Sequence, residues 1–198
     1  MLDTLVIATA NRHKASELAE FLDGPAWRLR TLRDFPPLPE PVEDGSSFGE
    51  NAVKKASAYA AALGLPCVAD DSGLEVDALN GAPGILSARY AGTPPSYEKN
   101  NRKLLEALAE CAEPNRTARF VCCAALALPR GDVHVETGTV EGRIAFACRG
   151  THGFGYDPLF IPQGYDLTFG ELDPAVKRAI SHRSRAFGKL REYLSSLP

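Results

Sequence analysis

Apolar runs along this chain are short, and polar, proline-rich or glycine-rich stretches separate them. Leu5-Val6-Ile7-Ala8 is one such run and predicts a buried strand leading into Thr9-Ala10-Asn11, residues suited to cap a helix. From Arg12 to Leu22 the apolar positions Ala15, Leu18, Ala19 and Leu22 recur at helical spacing, and Gly24-Pro25 supplies a stop. Trp27 to Leu32 alternates weakly, as a second strand would. Phe35 to Gly49 carries four prolines together with Glu40, Glu43 and Asp44, which predicts a loop, and loops of this length are often functional. A second helix is expected from about Phe48 to Leu63, ending at Gly64 and opened by the capping box Ser47-x-x-Glu50.

In the second half, Cys67-Val68-Ala69 predicts a strand that Asp70-Asp71-Ser72-Gly73 interrupts and Leu74-Glu75-Val76 resumes. Tyr97 to Ala112 has strong helical spacing. Ala118 to Leu128 and Val133 to Ala147 predict two facing strands turned at Pro129-Arg130-Gly131-Asp132. Gly150 to Pro158 is a glycine-rich loop before a short strand at Leu159-Phe160-Ile161, and Pro174 to Leu197 holds one or two helices. Strands alternate with helices first and pair as a hairpin later. This order predicts an α/β fold with a mixed β-sheet flanked by helices, one domain over residues 1–198.

Composition narrows the function classes. The 25 acidic and 22 basic side chains leave a net charge of −3, which excludes a dominant basic footprint for a nucleic-acid backbone. It leaves room for a local cluster of Lys and Arg around a small anionic ligand. No apolar run approaches the ~18 residues a membrane helix needs. Met1-Leu2-Asp3-Thr4 is neither basic nor followed by a signal-like apolar run, so a cytoplasmic protein is expected. The five cysteines, odd in number and without Cys-x-x-Cys, are expected as buried reduced thiols, with Cys67, Cys122, Cys123 and Cys148 inside apolar runs.

Three familiar patterns fail. Gly153-Phe154-Gly155-Tyr156-Asp157-Pro158 has Pro158 where a dinucleotide fingerprint needs its third glycine, and it precedes a strand instead of following one. A Walker-type phosphate loop is absent. Gly45-Ser46-Ser47-Phe48-Gly49 has the spacing of a nucleophile elbow, but an acidic proline-rich loop stands where the strand should be.

Five weaker signals share one theme. The helix start Thr9-Ala10-Asn11-Arg12-His13-Lys14 offers backbone N–H groups and a lysine, as a phosphate site does. Asp70-Asp71 is a carboxylate pair among apolar residues. Neighbours on a strand point to opposite faces, so one carboxylate is expected to reach a site while the other ties down a turn. A buried carboxylate calls for a cation, and Mg²⁺ takes only one or two carboxylates plus substrate phosphate. Glu43 is a second oxygen ligand on this reading, with Glu40 and Asp44 competing in the same loop. Asn51 and Lys55 lie one turn apart on the second helix. Phe154 and Tyr156 are aromatics suited to stacking on a base, beside the carboxylate of Asp157. Lys177, His182 and Arg183 are donors suited to a purine's O6 and N7 acceptors. Each signal alone also fits an ordinary cap, turn or solvated helix face. Together they describe a nucleoside polyphosphate site in which Asp71 serves metal-assisted attack by water on phosphorus.

At these residues the chain resembles the inosine/xanthosine triphosphate pyrophosphatases along essentially its whole length. The resemblance lies in ordered blocks: Thr9-x-Asn11-x-x-Lys14, Phe48-x-Glu50-Asn51-Ala52-x-x-Lys55-Ala56, and Ala69-Asp70-Asp71-Ser72-Gly73-Leu74. Gly81-Ala82-Pro83-Gly84-Ile85-x-Ser87-Ala88-Arg89-Tyr90, Gly153 to Pro158 and Ser181-His182-Arg183 complete them. The resemblance implies an elongated two-lobed α/β fold with a central nucleotide cleft, a homodimer, and Mg²⁺-dependent hydrolysis of ITP, dITP and XTP to the monophosphate and pyrophosphate. It also implies that Thr9, Ala10, Asn11, Arg12, His13, Lys14 and Lys55 hold phosphate and that Glu43 and Asp71 hold the metal. Asp71 is then the proton acceptor, Ser72 contacts substrate, and Phe154, Gly155, Tyr156, Asp157, Lys177, His182 and Arg183 form the nucleoside pocket. Ala10 departs from the family, which more often has glycine or serine there, and a positive φ at this position would strain an alanine. The alternatives are a related nucleotide pyrophosphatase with another base preference and a non-catalytic nucleotide-binding protein.

Overall fold

The computed structural model describes residues 3–24 and 27–197. A six-stranded mixed sheet runs in the order β2-β1-β3-β4-β5-β6. Its strands are β1 (Thr4–Ile7), β2 (Arg28–Thr31), β3 (Cys67–Val76), β4 (Thr117–Ala127), β5 (Val133–Ile144) and β6 (Phe160–Pro162). The helices are α1 (Arg12–Leu22), α2 (Phe48–Leu63), α3 (Tyr97–Ala107), α4 (Pro174–Ile180) and α5 (His182–Ser196). Strand β1 pairs in parallel with both β2 and β3, whereas β5 and β6 are antiparallel. The fold is α/β, as the alternation of elements predicts.

Local chemistry sets the helix ends. Asn11 opens α1 by accepting from the backbone N–H groups of His13 and Lys14. The predicted stop of α1 lies partly outside the described residues, since Pro25 is not among them. Ser47 opens α2 by accepting from Glu50 N, but the Glu50 carboxylate returns to Ser46 N and Oγ, one residue before the expected partner. Gly64 closes α2 at φ +65°, a left-handed conformation that costs glycine little. The C-terminal region forms two helices, and Ser181 breaks them in an extended conformation.

Four expectations need correction. Strand β3 is continuous through Asp70-Asp71-Ser72-Gly73, where a turn was expected. Both carboxylates meet cations there, which outweigh the burial cost at Asp70 and offset part of it at Asp71. Helix α3 stops at Ala107, five residues short of the predicted end. The guanidinium of Arg116, 2% exposed, reaches Leu108 O, Cys111 O, Ile144 O and Ala145 O at 2.7–3.2 Å. One buried cation thus collects the carbonyls beyond α3 and at the end of β5, which also stops short of its predicted end. Finally, Cys148 is exposed and Cys111 half-buried, so only Cys67, Cys122 and Cys123 are buried thiols.

The chain divides into two compact units. The first comprises residues 1–71, 122–138 and 183–198, and the second 72–121 and 139–182. In the first unit, Leu5, Ile7 and Val68 of the sheet pack with Leu18 and Leu22 of α1 and Ala186, Phe187 and Leu190 of α5. In the second, Leu74, Val76, Leu104, Phe120, Phe160 and Phe169 form the core. None of the helices among the described residues is long and apolar enough to cross a membrane.

Candidate active site

Strand alternation explains the carboxylates of the first unit. Val68 and Asp70 share one face of β3, and Val68 packs in the core that α1 and α5 cover. The partners of Asp70 come from those same helices. Lys14 Nζ lies 3.0 Å from Asp70 Oδ2, and Arg183 Nε donates to that same oxygen at 3.3 Å. Arg183 Nη1 also reaches Glu17 Oε2 at 3.2 Å. The side chain of Asp70 is 0% exposed. Burial alone would push its carboxyl up, but Lys14, Arg183 and Lys55 together hold it well below the usual carboxylate range.

Asp71 points to the other face and takes its partners from α2. Asn51 Nδ2 donates to Asp71 Oδ2 at 3.1 Å, and Lys55 Nζ lies 3.5 Å from Oδ1. Burial is the largest influence on Asp71 and raises its pKa, with the nearby Glu43 charge acting in the same direction. Lys55 is also buried. Burial works against its charge, yet Asp70, Asp71 and Glu43 outweigh it and raise the ammonium pKa. Adjacent residues of one strand are thus shifted in opposite directions, one by its cations and one by its burial.

The acidic loop is fastened to this group through Asn51, whose Oδ1 accepts from Gly45 N at 2.8 Å while its Nδ2 holds Asp71. The three acids of this loop, Glu40, Glu43 and Asp44, have different surroundings. Glu43 Oε1 is 2.8 Å from Lys55 Nζ, Asp44 pairs with Lys54, and Glu40 lines a cavity of about 290 Å³ with Thr9, Ala10, Arg33 and Tyr59. Glu43 and Asp71 therefore converge on one lysine. Among the described residues no three Asp, Glu, His or Cys side chains gather around a metal-sized point. A pair of carboxylates, completed by phosphate oxygens, is the donor set that suits Mg²⁺.

The helix start differs from the expectation in one respect. Asn11 Oδ1 accepts from His13 N at 3.0 Å and Lys14 N at 3.3 Å, and Asn11 N donates to Thr9 Oγ1. These amides already have acceptors, so the charge of Lys14 is the stronger feature here for an anion. Arg12 and His13 are exposed. Among the described residues Asn80 is the only non-glycine with positive φ, so Ala10 carries no such strain.

In the second unit, residues 153–157 form a tight loop. Gly153 has φ +74°, and a Cβ there would collide with the Asp157 carboxylate. Asp157 Oδ2 accepts from Phe154 N and from Lys177 Nζ, both at 2.7 Å, and both partners of this ion pair are buried. The Lys177 ammonium lies 4.8 Å from the centre of the Phe154 ring, and the Tyr97 ring lies 6.1 Å from it. Tyr156 is not available for stacking, contrary to expectation. Its ring is buried in the core and its hydroxyl donates to Ser87 O at 2.9 Å. His182 is buried and stacks on Phe120 at 4.7 Å. Ser72 is half-buried on β3.

Sequence reasoning missed Glu17, Tyr97 and Asn101. Helical spacing carried a signal for each. Glu17 stands three residues after Lys14 on α1, and Tyr97 and Asn101 stand four apart on α3.

The model of the Ham1 family matches residues 5–193. A dITP/XTP pyrophosphatase of Geobacter sulfurreducens is 50% identical over 190 residues, covering 96% of each chain. Another from Desulforamulus reducens is 48% identical over 193 residues, covering 98% of this chain and 96% of that one. Among solved structures, a HAM1 protein from Coxiella burnetii aligns over 100% of both chains with a TM-score of 0.90 and 40% identity.

Proposed function

The chain belongs to the Ham1 family, and from that premise we propose that it hydrolyses inosine and xanthosine triphosphates, ITP, dITP and XTP, to the monophosphate and pyrophosphate. It is a nucleoside-triphosphate pyrophosphatase that removes deaminated purines from the nucleotide pool. The observation that carries this reading is the group of buried Asp71 and Lys55 with half-buried Glu43. It combines a carboxylate of raised pKa with a lysine that stays charged.

In this mechanism Lys14 and Lys55 bind phosphate oxygens, and Thr9 to His13 and Ser72 are further substrate contacts. Asp71 accepts a proton from water as the water oxygen bonds to phosphorus, the α–β bridging P–O bond breaks and pyrophosphate leaves. A carboxylate whose pKa burial has raised is a better base than an ordinary one. Asp71 and Glu43 would hold Mg²⁺, which when bound neutralises charge on the phosphates. Phe154 stacks on the base, and Lys177, His182 and Arg183 supply donors. Hypoxanthine and xanthine offer an O6 acceptor to these donors. Adenine presents an amino group there, which leaves a buried donor unpaired. A homodimer and a cytoplasmic setting belong to the same proposal, as does a preference for free nucleotide over nucleic acid.

The test is pyrophosphate release with Mg²⁺ from ITP, dITP, XTP, GTP, ATP and dTTP, each alone. Fast release from the first three and slow release from the others is the expected result. Fastest release from dTTP would overturn the purine assignment, and no release from any would favour a non-catalytic binding protein.

A further inference from the structure

Beside the aromatic loop lies a side chain with one group used and one stranded. Asn101 is 7% exposed, and its Nδ2 donates to Gly155 O at 3.0 Å. Its Oδ1 is buried and has no hydrogen-bond partner among the described residues. The bond fixes which way the amide faces, because turning it over would set its oxygen against the Gly155 carbonyl. Tyr97, one turn earlier on α3, meets Phe154. One helix face therefore touches two consecutive residues of the loop. Gly155, at φ +64°, has no side chain of its own to anchor it, so its peptide is held from outside the loop.

A stranded buried oxygen is a cost to folding, and a leucine of similar size would fill the space without it. What the asparagine adds in return is the bond to Gly155. We infer that Asn101 is a positioning residue for nucleobase recognition, fixing the Gly155 carbonyl so that Phe154, braced by Tyr97, presents its ring to the base. Asn101 touches no reacting atom. The inference rests on the purine-nucleotide reading above.

The test uses the full chain with Mg²⁺ and compares Asn101→Leu with wild type by calorimetric binding of IMP and of pyrophosphate and by melting temperature. The ratio of IMP affinity to pyrophosphate affinity should fall about tenfold, the usual scale for one hydrogen bond, while the melting temperature holds or rises. Unchanged IMP affinity would overturn the inference. So would a lower melting temperature with both ligands weakened alike, the mark of a merely structural residue. Asn101→Asp keeps the shape and removes the donor. It should weaken IMP in the same way, and it carries the test if the leucine variant does not fold. A wild-type protein that binds no IMP and turns over no ITP would overturn the nucleotide reading itself, before any variant is made.

Discussion

On β3, Asp70 and Asp71 sit in a regular strand, and their side chains are held by charges of opposite sign: Lys14 and Arg183 on one face, Lys55 on the other. In residues 153–157 the backbone does most of the positioning. Two left-handed glycines turn it, one buried ion pair anchors it, and Asn101 and Tyr97 brace it from α3. The first region depends on charge balance and the second on shape. A single substitution on β3 should therefore change chemistry and proton affinity, whereas one in the loop should change folding or base preference.

The largest effect expected is on turnover. Asp71→Asn should lower kcat by about 10²–10⁴-fold, the range of a lost general base, while calorimetry still detects nucleotide binding. Turnover that survives would move the base elsewhere in the cluster. On the loop side, Asp157→Ala breaks the buried ion pair with Lys177 and should cost about 3–5 kcal/mol of stability, measured by urea unfolding. A near-neutral result would mean that the glycine turns hold the loop without the ion pair. Lys14→Gln should weaken pyrophosphate binding by about 10–100-fold, as loss of a charged hydrogen bond does, and leave the Phe154 environment intact.

The smallest effect is the most diagnostic of how β3 treats charge. Folding raises the pKa of Asp71 above the carboxylate value of 3.8, so its favourable contribution is complete below about pH 4. That contribution is lost as pH climbs through the raised value. Asp70 runs the other way, since its depressed pKa stabilises the fold above about pH 4 and the effect fades as pH falls below it. The melting temperature of Asp71→Asn relative to wild type should therefore increase from acid to neutral pH. A difference that stays constant would show that the charge on Asp71 costs the fold nothing.

The elements were legible in the sequence where hydrophobic period and cap agreed. Both α1 and α2 have the predicted bounds because Asn11, Ser47 and Gly64 mark their ends chemically. The sequence predicts a break in β3 because two adjacent acids look costly in a sheet. The neutralising cations come from residues 14, 55 and 183, far away in the chain, and no local pattern shows them. The end of α3 escapes the sequence for a similar reason, since Arg116 draws on Leu108 O and Cys111 O, just beyond the helix. Within the site, the residue patterns pointed to Lys14, Lys55, Asp71 and the aromatic loop, and the resemblance gave them roles. It did not separate Tyr156, a core residue, from Phe154, whose ring meets Tyr97 and Lys177. Helical spacing placed Glu17 beside Lys14 and Asn101 beside Tyr97, but it did not reveal the partners that give them a role.

The side-by-side placement of Asp70 and Asp71 also bears on which changes of length the chain can accept. One residue inserted or removed between Cys67 and Asp70 would turn the strand over by one step. The carboxylate that faces Lys14 and Arg183 would then face α2, and its neighbour would take the opposite berth. Both positions hold aspartate, so a sequence comparison would register only a gap, yet every residue beyond it would be on the wrong face. The acidic loop before α2 has no such parity, and it can lengthen or shorten at little cost as long as Gly45 still reaches Asn51.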